Sequence, residues 1–202
     1  MSRGARRTGG AVLAVLAAVA LGGAVVLGRT GFLEAGFSDL LTTPVERAEL
    51  PAGVPAAAEP ALVHRIVDGD TVRVRVDDPD HSIGLTTSIR VRLLNIDAPE
   101  PARDGEPGEC GAEEASARLE ALLPRSSVVW LAPDLEDRDR FDRPLRYAFT
   151  EDGVDVQAVL VEEGLAEVVV FPPNDRFADA LRPLEAAAQA AGRGIWGELC
   201  PA

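Results

Sequence analysis

The sequence contains no lysine: all 20 of its basic residues are arginines, and 33 residues are acidic. The 202-residue chain therefore carries a formal net charge of −13 at pH 7. A surface of that sign repels nucleic-acid phosphates at long range, which excludes binding of DNA or RNA through a generally basic surface. If the protein binds nucleic acid, a local cluster of arginines has to provide the contact.

Metal-binding motifs built on cysteine and histidine are also missing. The chain has two cysteines and two histidines, with no C-x-x-C pair and no closely spaced histidines. This excludes the common structural zinc sites, which need several such ligands at short spacing. We therefore expect His64 and His81 to be ordinary surface residues.

One long apolar run is present, near the N-terminus. Residues 11–28 contain no charge and follow Arg3, Arg6 and Arg7. A run of this length can just span a bilayer, and basic residues before it keep the N-terminus in the cytoplasm. We therefore expect residues 1–28 to be a transmembrane helix that anchors the protein or a signal helix that is cleaved, with the rest extracellular. Removing residues 1–30 removes four arginines and no acidic residue, which changes the net charge from −13 to −17.

Both cysteines, Cys110 and Cys200, follow this segment and would be exported with the rest of the chain. Thiols outside the cytoplasm tend to form disulfides, and two cysteines allow a single intramolecular pairing. We predict a Cys110–Cys200 disulfide that closes a loop of about 90 residues and ties down the C-terminus. Two free buried thiols are the alternative.

Composition separates a linker from a folded domain. Residues 29–59 are rich in proline and alanine and lack sustained periodicity, which predicts a spacer; residues 60–202 form the predicted domain. Within the domain, Val72, Val74 and Val76 alternate with arginines, as in a half-buried strand. Other patterns predict strands over 61–67, 88–96, 127–133 and 145–150, and helices over 111–124, 154–164 and 176–191.

This order of elements predicts an α+β domain built on a small OB-like β-barrel of five strands, with three helices. The last helix contains Pro183, which should kink it or mark its true start. Asn174 or Asp175 is expected to cap that helix.

Six segments then carry a resemblance to a known family. In chain order they are VDGDTVRVRV, IRVRLLNIDAPE, GAEEAS, DRFDRPLRYAF, VQAVLVEEGLAEV and GIWG, within about residues 61–197. Together they resemble the staphylococcal nuclease (thermonuclease) family. The resemblance implies a five-stranded OB-fold with three helices. It also implies a secreted, calcium-dependent phosphodiesterase that acts on DNA and RNA. We expect a monomer that prefers single strands.

The resemblance also assigns metal ligands. Asp70 and Asp97 match the family's carboxylate ligands of calcium, and Ala98 stands where the family uses a main-chain carbonyl. Oxygen ligands of this kind suit Ca²⁺, and a site with few of them leaves positions for water and phosphate. Asp68 lies beside the site and could either support it or shape the DG turn.

Three further residues match catalytic positions of the family. Glu100 corresponds to the general base that deprotonates the attacking water, and Arg92 and Arg143 correspond to the arginines that bind the phosphate. Hydrolysis of a phosphodiester needs such a base and such positive charge. A guanidinium suits the second task because it makes paired hydrogen bonds to phosphate oxygens.

The sequence departs from the family around the substrate. Asp142 stands where the family has glycine and could pair with Arg143. The family's stacking tyrosines fall on residues that are not aromatic, and Phe171 lies between them, while Arg140 and Phe141 match a basic and an aromatic substrate contact. We therefore expect the chemistry to be kept and the binding of nucleotides to be altered.

A non-catalytic OB-fold module that binds nucleic acid or a protein at the cell envelope is the alternative function. That hypothesis predicts the loss of Glu100 or of the phosphate-binding arginines. The sequence retains all of them, so we favour the nuclease.

Overall fold

A computed structural model describes residues 50–103, 105–197 and 199–200. The predicted transmembrane or signal helix lies outside these residues, and so does most of the predicted linker. Within the described part of the chain, no helix has both the length and the apolar character needed to cross a membrane. The predicted boundaries at residues 28 and 59 stay predictions.

Seven strands and three α-helices are found in the described residues. In chain order they are β1 Glu59–Asp68, β2 Thr71–Val76, β3 Thr86–Leu93, β4 Ile96–Asp97, α1 Ala112–Leu122, β5 Val128–Ala132, β6 Leu145–Thr150, α2 Val156–Glu162, β7 Glu167–Val168 and α3 Ala178–Ala191. A short 3-10 helix follows at Gly194–Trp196.

Five of the strands close into a barrel in the order β1-β2-β3-β6-β5, and β5 pairs with β1 to close it. The pairing of β3 with β6 is parallel, and the other barrel pairs are antiparallel. The barrel and the three helices confirm the predicted OB-like architecture. Its interior holds the alternating side chains of the strands: Val72, Val74, Val91 and Leu93 are at most 1% exposed.

The predicted third strand, residues 88–96, is in fact two strands. β3 ends at Leu93, and Asn95 turns the chain with φ of 60° before β4, which pairs with β7 outside the barrel. Asparagine tolerates this left-handed conformation better than most residues. The Asn95 side chain is buried, accepting a hydrogen bond from the Tyr147 hydroxyl at 2.7 Å and donating one to the Asn174 carbonyl at 2.8 Å.

The last helix starts differently from the prediction. α3 begins after Phe177, and no side chain caps its first turn, so the expected cap by Asn174 or its neighbour is wrong. Asn174 is buried and instead accepts the N–H of Glu136 at 2.8 Å and donates to its carbonyl at 3.0 Å. Pro183 lies inside the helix and does not end it.

Cys110 and Cys200 form a disulfide with a Cα–Cα distance of 5.9 Å, which confirms the predicted pairing. It joins the segment before α1 to the end of the described chain. The expectation for the histidines is wrong for His81, which is 5% exposed. Its Nδ1 accepts the N–H of Ile83 at 3.0 Å and lies 3.6 Å from the Glu59 carboxylate.

Candidate active site

The tight turn between β1 and β2 carries Asp70 into the protein. A Cβ atom at Gly69 would lie 2.6 Å from the Cβ of Ala98 and 2.8 Å from that of Ala115. Only glycine therefore lets the turn approach both α1 and the segment after β4. Asp68 shapes this turn, because its Oδ1 accepts the N–H of Asp70 at 3.3 Å.

The carboxyl group of Asp70 is buried and hydrogen-bonded on both oxygens. Oδ1 accepts the Thr71 hydroxyl at 3.0 Å, and Oδ2 accepts the N–H of Ala98 at 3.0 Å and lies 3.2 Å from Nη2 of Arg92. Burial raises the pKa of Asp70 to about 6; Arg92 and the Ala98 amide oppose the shift, and the charge of Asp68 adds to it. The raised pKa means that the surrounding positive charge does not fully compensate an ionised Asp70.

Arg92 joins the two predicted carboxylate ligands. Its Nη1 donates to two carbonyls of the β3–β4 connection, those of Leu93 and Ile96, each at 2.8 Å. These bonds fix the guanidinium so that Nη2 donates to Oδ1 of Asp97 at 2.6 Å while it also contacts Asp70. The Arg92 and Asp70 side chains are buried, at 13% and 5% exposed, whereas Asp97 is 59% exposed and faces water. Both carboxylates therefore contact the same nitrogen, Nη2 of Arg92.

Glu100 belongs to a neighbouring network. Its side chain is 57% exposed, and Oε2 lies 3.3 Å from Nη2 of Arg103. Arg103 also pairs with Asp68, so this carboxylate has a second role besides shaping the turn. We did not predict Arg103 from the sequence, although it lies three residues after Glu100.

The main chain of Glu100 is held by a second residue that sequence reasoning missed. The N–H of Glu100 donates to Oε2 of Glu109 at 2.9 Å, and the N–H of Glu109 donates to the carbonyl of Glu100 at 2.8 Å. Glu109 directly precedes the disulfide-bonded Cys110. The backbone of the predicted base is therefore clamped to a segment that the disulfide ties down.

Arg143 pairs with a different acid from the one considered in the sequence. Its Nε donates to Oδ2 of Asp139 at 2.6 Å, and its main-chain N–H donates to Oδ1 at 2.9 Å. Burial alone would raise the pKa of Asp139, but hydrogen bonds from Arg143 and Phe141 outweigh it and lower the pKa. Asp142 adopts φ of 60°, the conformation that a glycine would favour, and its carboxylate lies 3.4 Å from Arg138.

A cleft of about 410 Å³ brings most of the predicted substrate residues together. Its lining includes residues predicted to bind metal, phosphate or bases: Arg92, Asp97, Arg140, Phe141, Arg143 and Phe171. The rings of Phe141 and Phe171 are 64% and 70% exposed, and the Arg140 guanidinium lies 4.7 Å from the centre of the Phe141 ring. Asp70 does not line the cleft but contacts Arg92, which does, and Ala98 donates its N–H to Asp70. Glu100 lies outside the lining and contacts Arg103.

The donor atoms at this place fit a hard cation. In the described parts of the chain, no group of three or more His, Cys, Asp or Glu side chains is close enough to bind a metal without other ligands. Two carboxylates do converge, at the Nη2 position of Arg92, and one of them is buried with a raised pKa. A cation bound by Asp70 and Asp97 would neutralise the negative charge of these carboxylates. A main-chain carbonyl such as that of Ala98 suits Ca²⁺ as a further ligand.

Comparisons with known proteins identify the family of this chain. Residues 90–198 match the family described as "Staphylococcal nuclease homologue". The chain is 31% identical to the thermonuclease of Staphylococcus intermedius over 68% of this chain and 76% of that protein. It is 27% identical to the thermonuclease of Staphylococcus hyicus over 66% of this chain and 73% of that protein.

A longer relative matches as well. The endonuclease YhcR of Bacillus subtilis is 30% identical over 76% of this chain, although the match covers 13% of that protein. The family match spans more than half of the chain and includes Arg92, Asp97, Glu100 and Arg143. The chain belongs to the staphylococcal nuclease family.

Proposed function

We propose that this protein is a calcium-dependent nuclease that hydrolyses phosphodiester bonds of DNA and RNA outside the cytoplasm, either anchored to the membrane or secreted. Membership of the family identifies it as a nuclease, a phosphodiester hydrolase. One observation carries the proposal beyond family membership. The Arg92 guanidinium joins the carboxylates of Asp70 and Asp97 beside a cleft that Arg143 also lines.

The two arginines provide the positive charge that phosphodiester hydrolysis needs. Arg92 and Arg143 line the same cleft, so both can donate to a phosphate bound there. Asp139 holds Arg143 through its Nε and its main-chain N–H, which orients the guanidinium before substrate binds. Donors fixed in advance stabilise the extra negative charge of the transition state without reorganising during the reaction.

Asp70, Asp97 and the Ala98 carbonyl would hold the calcium ion. Bound there, the ion would neutralise the phosphate and favour ionisation of a water molecule. A divalent cation held by these carboxylates would neutralise them, which would leave Nη2 of Arg92 free to donate to a phosphate oxygen.

Glu100 is the proposed general base. Its carboxylate is exposed enough to meet water, while its backbone is held by two hydrogen bonds to Glu109. Arg103 keeps the side chain on the Asp68 side of the turn. A base whose position is fixed in this way can accept a proton from water with little loss of rotational freedom at each turnover.

Phe141 and Phe171 are the proposed base-binding residues. Both rings are exposed at the cleft, and an aromatic ring stacks on any base, at about 1–3 kcal/mol per base. Binding of this kind tolerates different sequences and needs unpaired bases. It therefore supports action on single strands of both DNA and RNA.

A cleavage assay tests the proposal. End-labelled single-stranded DNA and RNA are incubated with the purified protein in Ca²⁺, with and without chelator. We expect cleavage in Ca²⁺ and its loss with chelator, and a rate lowered by orders of magnitude in Glu100→Gln and in Arg92→Ala. If a folded preparation binds DNA but does not cut it in Ca²⁺, the enzyme proposal is wrong and the non-catalytic module is correct.

A further inference from the structure

Three arginines lie side by side across the outer face of the barrel. Arg65 in β1 is opposite Arg73 in β2, and Arg73 is opposite Arg90 in β3. Residues directly opposite each other in antiparallel strands project to the same face of the sheet. Val72 and Val74, which flank Arg73, are buried, so this face is the outer one. We refer to Arg65, Arg73 and Arg90 as the arginine row.

No acidic side chain of the described residues pairs with the arginine row. In the described residues, none of its members forms an ion pair, although the chain has 33 acidic residues. By contrast Arg75, the next outward residue on β2, pairs with Asp77 at 3.0 Å. Burial lowers the pKa of Arg73, and the positive charges of Arg65 and Arg90 lower it further.

This arrangement of charges costs the sheet stability. Like charges directly opposite each other destabilise a sheet. Within the described residues, Nη1 of Arg73 donates to the Ser88 hydroxyl at 3.2 Å and to the Ser88 carbonyl at 3.5 Å. Its Nε is buried and has no hydrogen-bond partner there. A concentration of positive charge that costs stability suggests an anionic ligand.

A second cleft connects the row to the candidate active site. It measures about 420 Å³ and is lined by Arg73, Ser88, Ile89, Arg90, Phe141, Asp142 and Arg143. Phe141 and Arg143 also line the active-site cleft, so the positive surface continues from one cleft to the other. The acid in this lining, Asp142, is 86% exposed and contacts Arg138 at 3.4 Å.

We propose that the arginine row binds the phosphates of the nucleic-acid strand that flanks the bond being cleaved. This proposal rests on the proposed function and adds to it a second site on the same strand. Neighbouring strands lie about 4.8 Å apart, so the row extends about 10 Å, long enough for more than one phosphate. In an acidic protein, such a local cluster supplies the attraction that the rest of the surface opposes.

A binding experiment tests the row without any need for cleavage. The double variant Arg65→Gln/Arg90→Gln removes the two exposed members. Its affinity for a labelled 20-nucleotide single strand is measured by fluorescence anisotropy in chelator at several salt concentrations. Each lost phosphate contact lowers the salt slope by about 0.7, which at 0.1 M salt is about five-fold in affinity. We therefore expect binding about 25-fold weaker and a slope smaller by about 1.4.

The matched control is Arg75→Gln/Arg182→Gln, which removes the same charge from two exposed arginines with acidic partners. We expect the control to bind the 20-mer within about two-fold of the unmodified protein, since long-range attraction changes little in salt. If both double variants bind the 20-mer equally weakly, the proposal for the arginine row is wrong, because the change in net charge alone explains the loss of affinity. Thermal melts establish that both are folded.

Kinetic measurements distinguish strand binding by the arginine row from catalysis at the active site. With Ca²⁺ present, the row variant should raise KM for the 20-mer far more than KM for a dinucleotide, which is too short to reach from the active site to the row. A protein that binds the 20-mer but never cleaves it would refute the proposed catalysis. The anisotropy comparison would still show whether the arginine row binds the strand. A protein that neither binds nor cleaves would refute both.

Discussion

Glu100 and Glu109 are joined by two hydrogen bonds, one in each direction: Glu109 accepts the main-chain N–H of Glu100 and returns its own N–H to the Glu100 carbonyl. The segment from residue 100 to residue 109 is therefore closed into a loop at the predicted base. The next residue is Cys110, so the segment that holds Glu100 is covalently linked to Cys200. This connection leads to two predictions.

Glu109→Ala removes the side-chain acceptor and should lower kcat about ten-fold with little change in KM. The Glu100 backbone would then move more freely, and a base displaced by a fraction of an ångström loses rate without loss of substrate binding. Glu109→Gln keeps an acceptor oxygen and should restore most of the rate. Steady-state kinetics on single-stranded DNA give both parameters; equal kcat in the alanine and unmodified proteins would contradict a positioning role.

Loss of the disulfide should affect both stability and rate. Cys200→Ser opens a loop whose ends are 90 residues apart, which lowers the free energy of unfolding by about 4 kcal/mol in the chain-entropy model. For a domain of this size we expect Tm to fall by roughly 10 °C. Kinetics at 20 °C, where the variant is still folded, should show a reduced kcat because the Glu109 segment is released.

A control separates the two effects of that substitution. Leu181→Ala removes a side chain that is 1% exposed in α3 and should cost a comparable 2–5 kcal/mol of stability. It leaves the segment around Glu109 untouched. If Cys200→Ser and Leu181→Ala show the same kcat at 20 °C, the disulfide has no specific influence on the base.

The barrel could be predicted because its signals are local. Alternation of Val72, Val74 and Val76 with arginines identifies a strand without knowledge of any partner. The break of the third strand at Asn95 could not be predicted in this way. It depends on Tyr147 and Asn174, which lie 52 and 79 residues away in sequence. The missing cap of α3 has the same cause, since Asn174 is held by Glu136.

The candidate site also contains residues that the sequence identifies and contacts that only the folded chain forms. Resemblance to the family identified residues such as Asp70 and Arg92, but it said nothing of the groups that hold them. Asp139 lies four residues before Arg143 and could have been found by that spacing. Glu109 gives no such signal, because its contact with Glu100 exists only once the intervening loop has closed.

Asp139 and Asp142 offer a matched pair of substitutions on one loop. Asp139→Asn weakens the bond to Nε of Arg143 and should lower kcat/KM by about ten- to one-hundred-fold, because the guanidinium is no longer oriented by a charged partner. Asp142→Gly should leave kcat/KM within about two-fold, since its carboxylate contacts Arg138 instead. Glycine also accepts the φ of 60° at lower cost, so we expect a Tm that is unchanged or slightly raised. Kinetics and melts of both variants check this, and equal activity losses would refute the assignment of Asp139 as the partner of Arg143.

Metal-free stability should depend on pH through Asp70. Burial raises its pKa to about 6 from the model-compound value of 3.8, so the folded protein binds the proton more tightly than the unfolded chain. The stability that this proton provides is complete below about pH 3.8 and is lost as pH rises through about 6. The ionised Asp70 is therefore a cost to the metal-free protein at neutral pH.

Asp70→Asn removes that cost and should raise the free energy of unfolding by about 1–2 kcal/mol at pH 7.5 in chelator, less than the full shift implies because Arg92 loses a partner. At pH 4 the difference should shrink towards zero, since Asp70 is then protonated in the folded protein. Ca²⁺ should raise the Tm of the unmodified protein but not that of Asp70→Asn. Urea unfolding at the two pH values measures the first effect and thermal melts the second. If Asp70→Asn is less stable than the unmodified protein at pH 7.5, Arg92 compensates the charge of Asp70 fully. If Ca²⁺ raises the Tm of both proteins equally, Asp70 is not a calcium ligand.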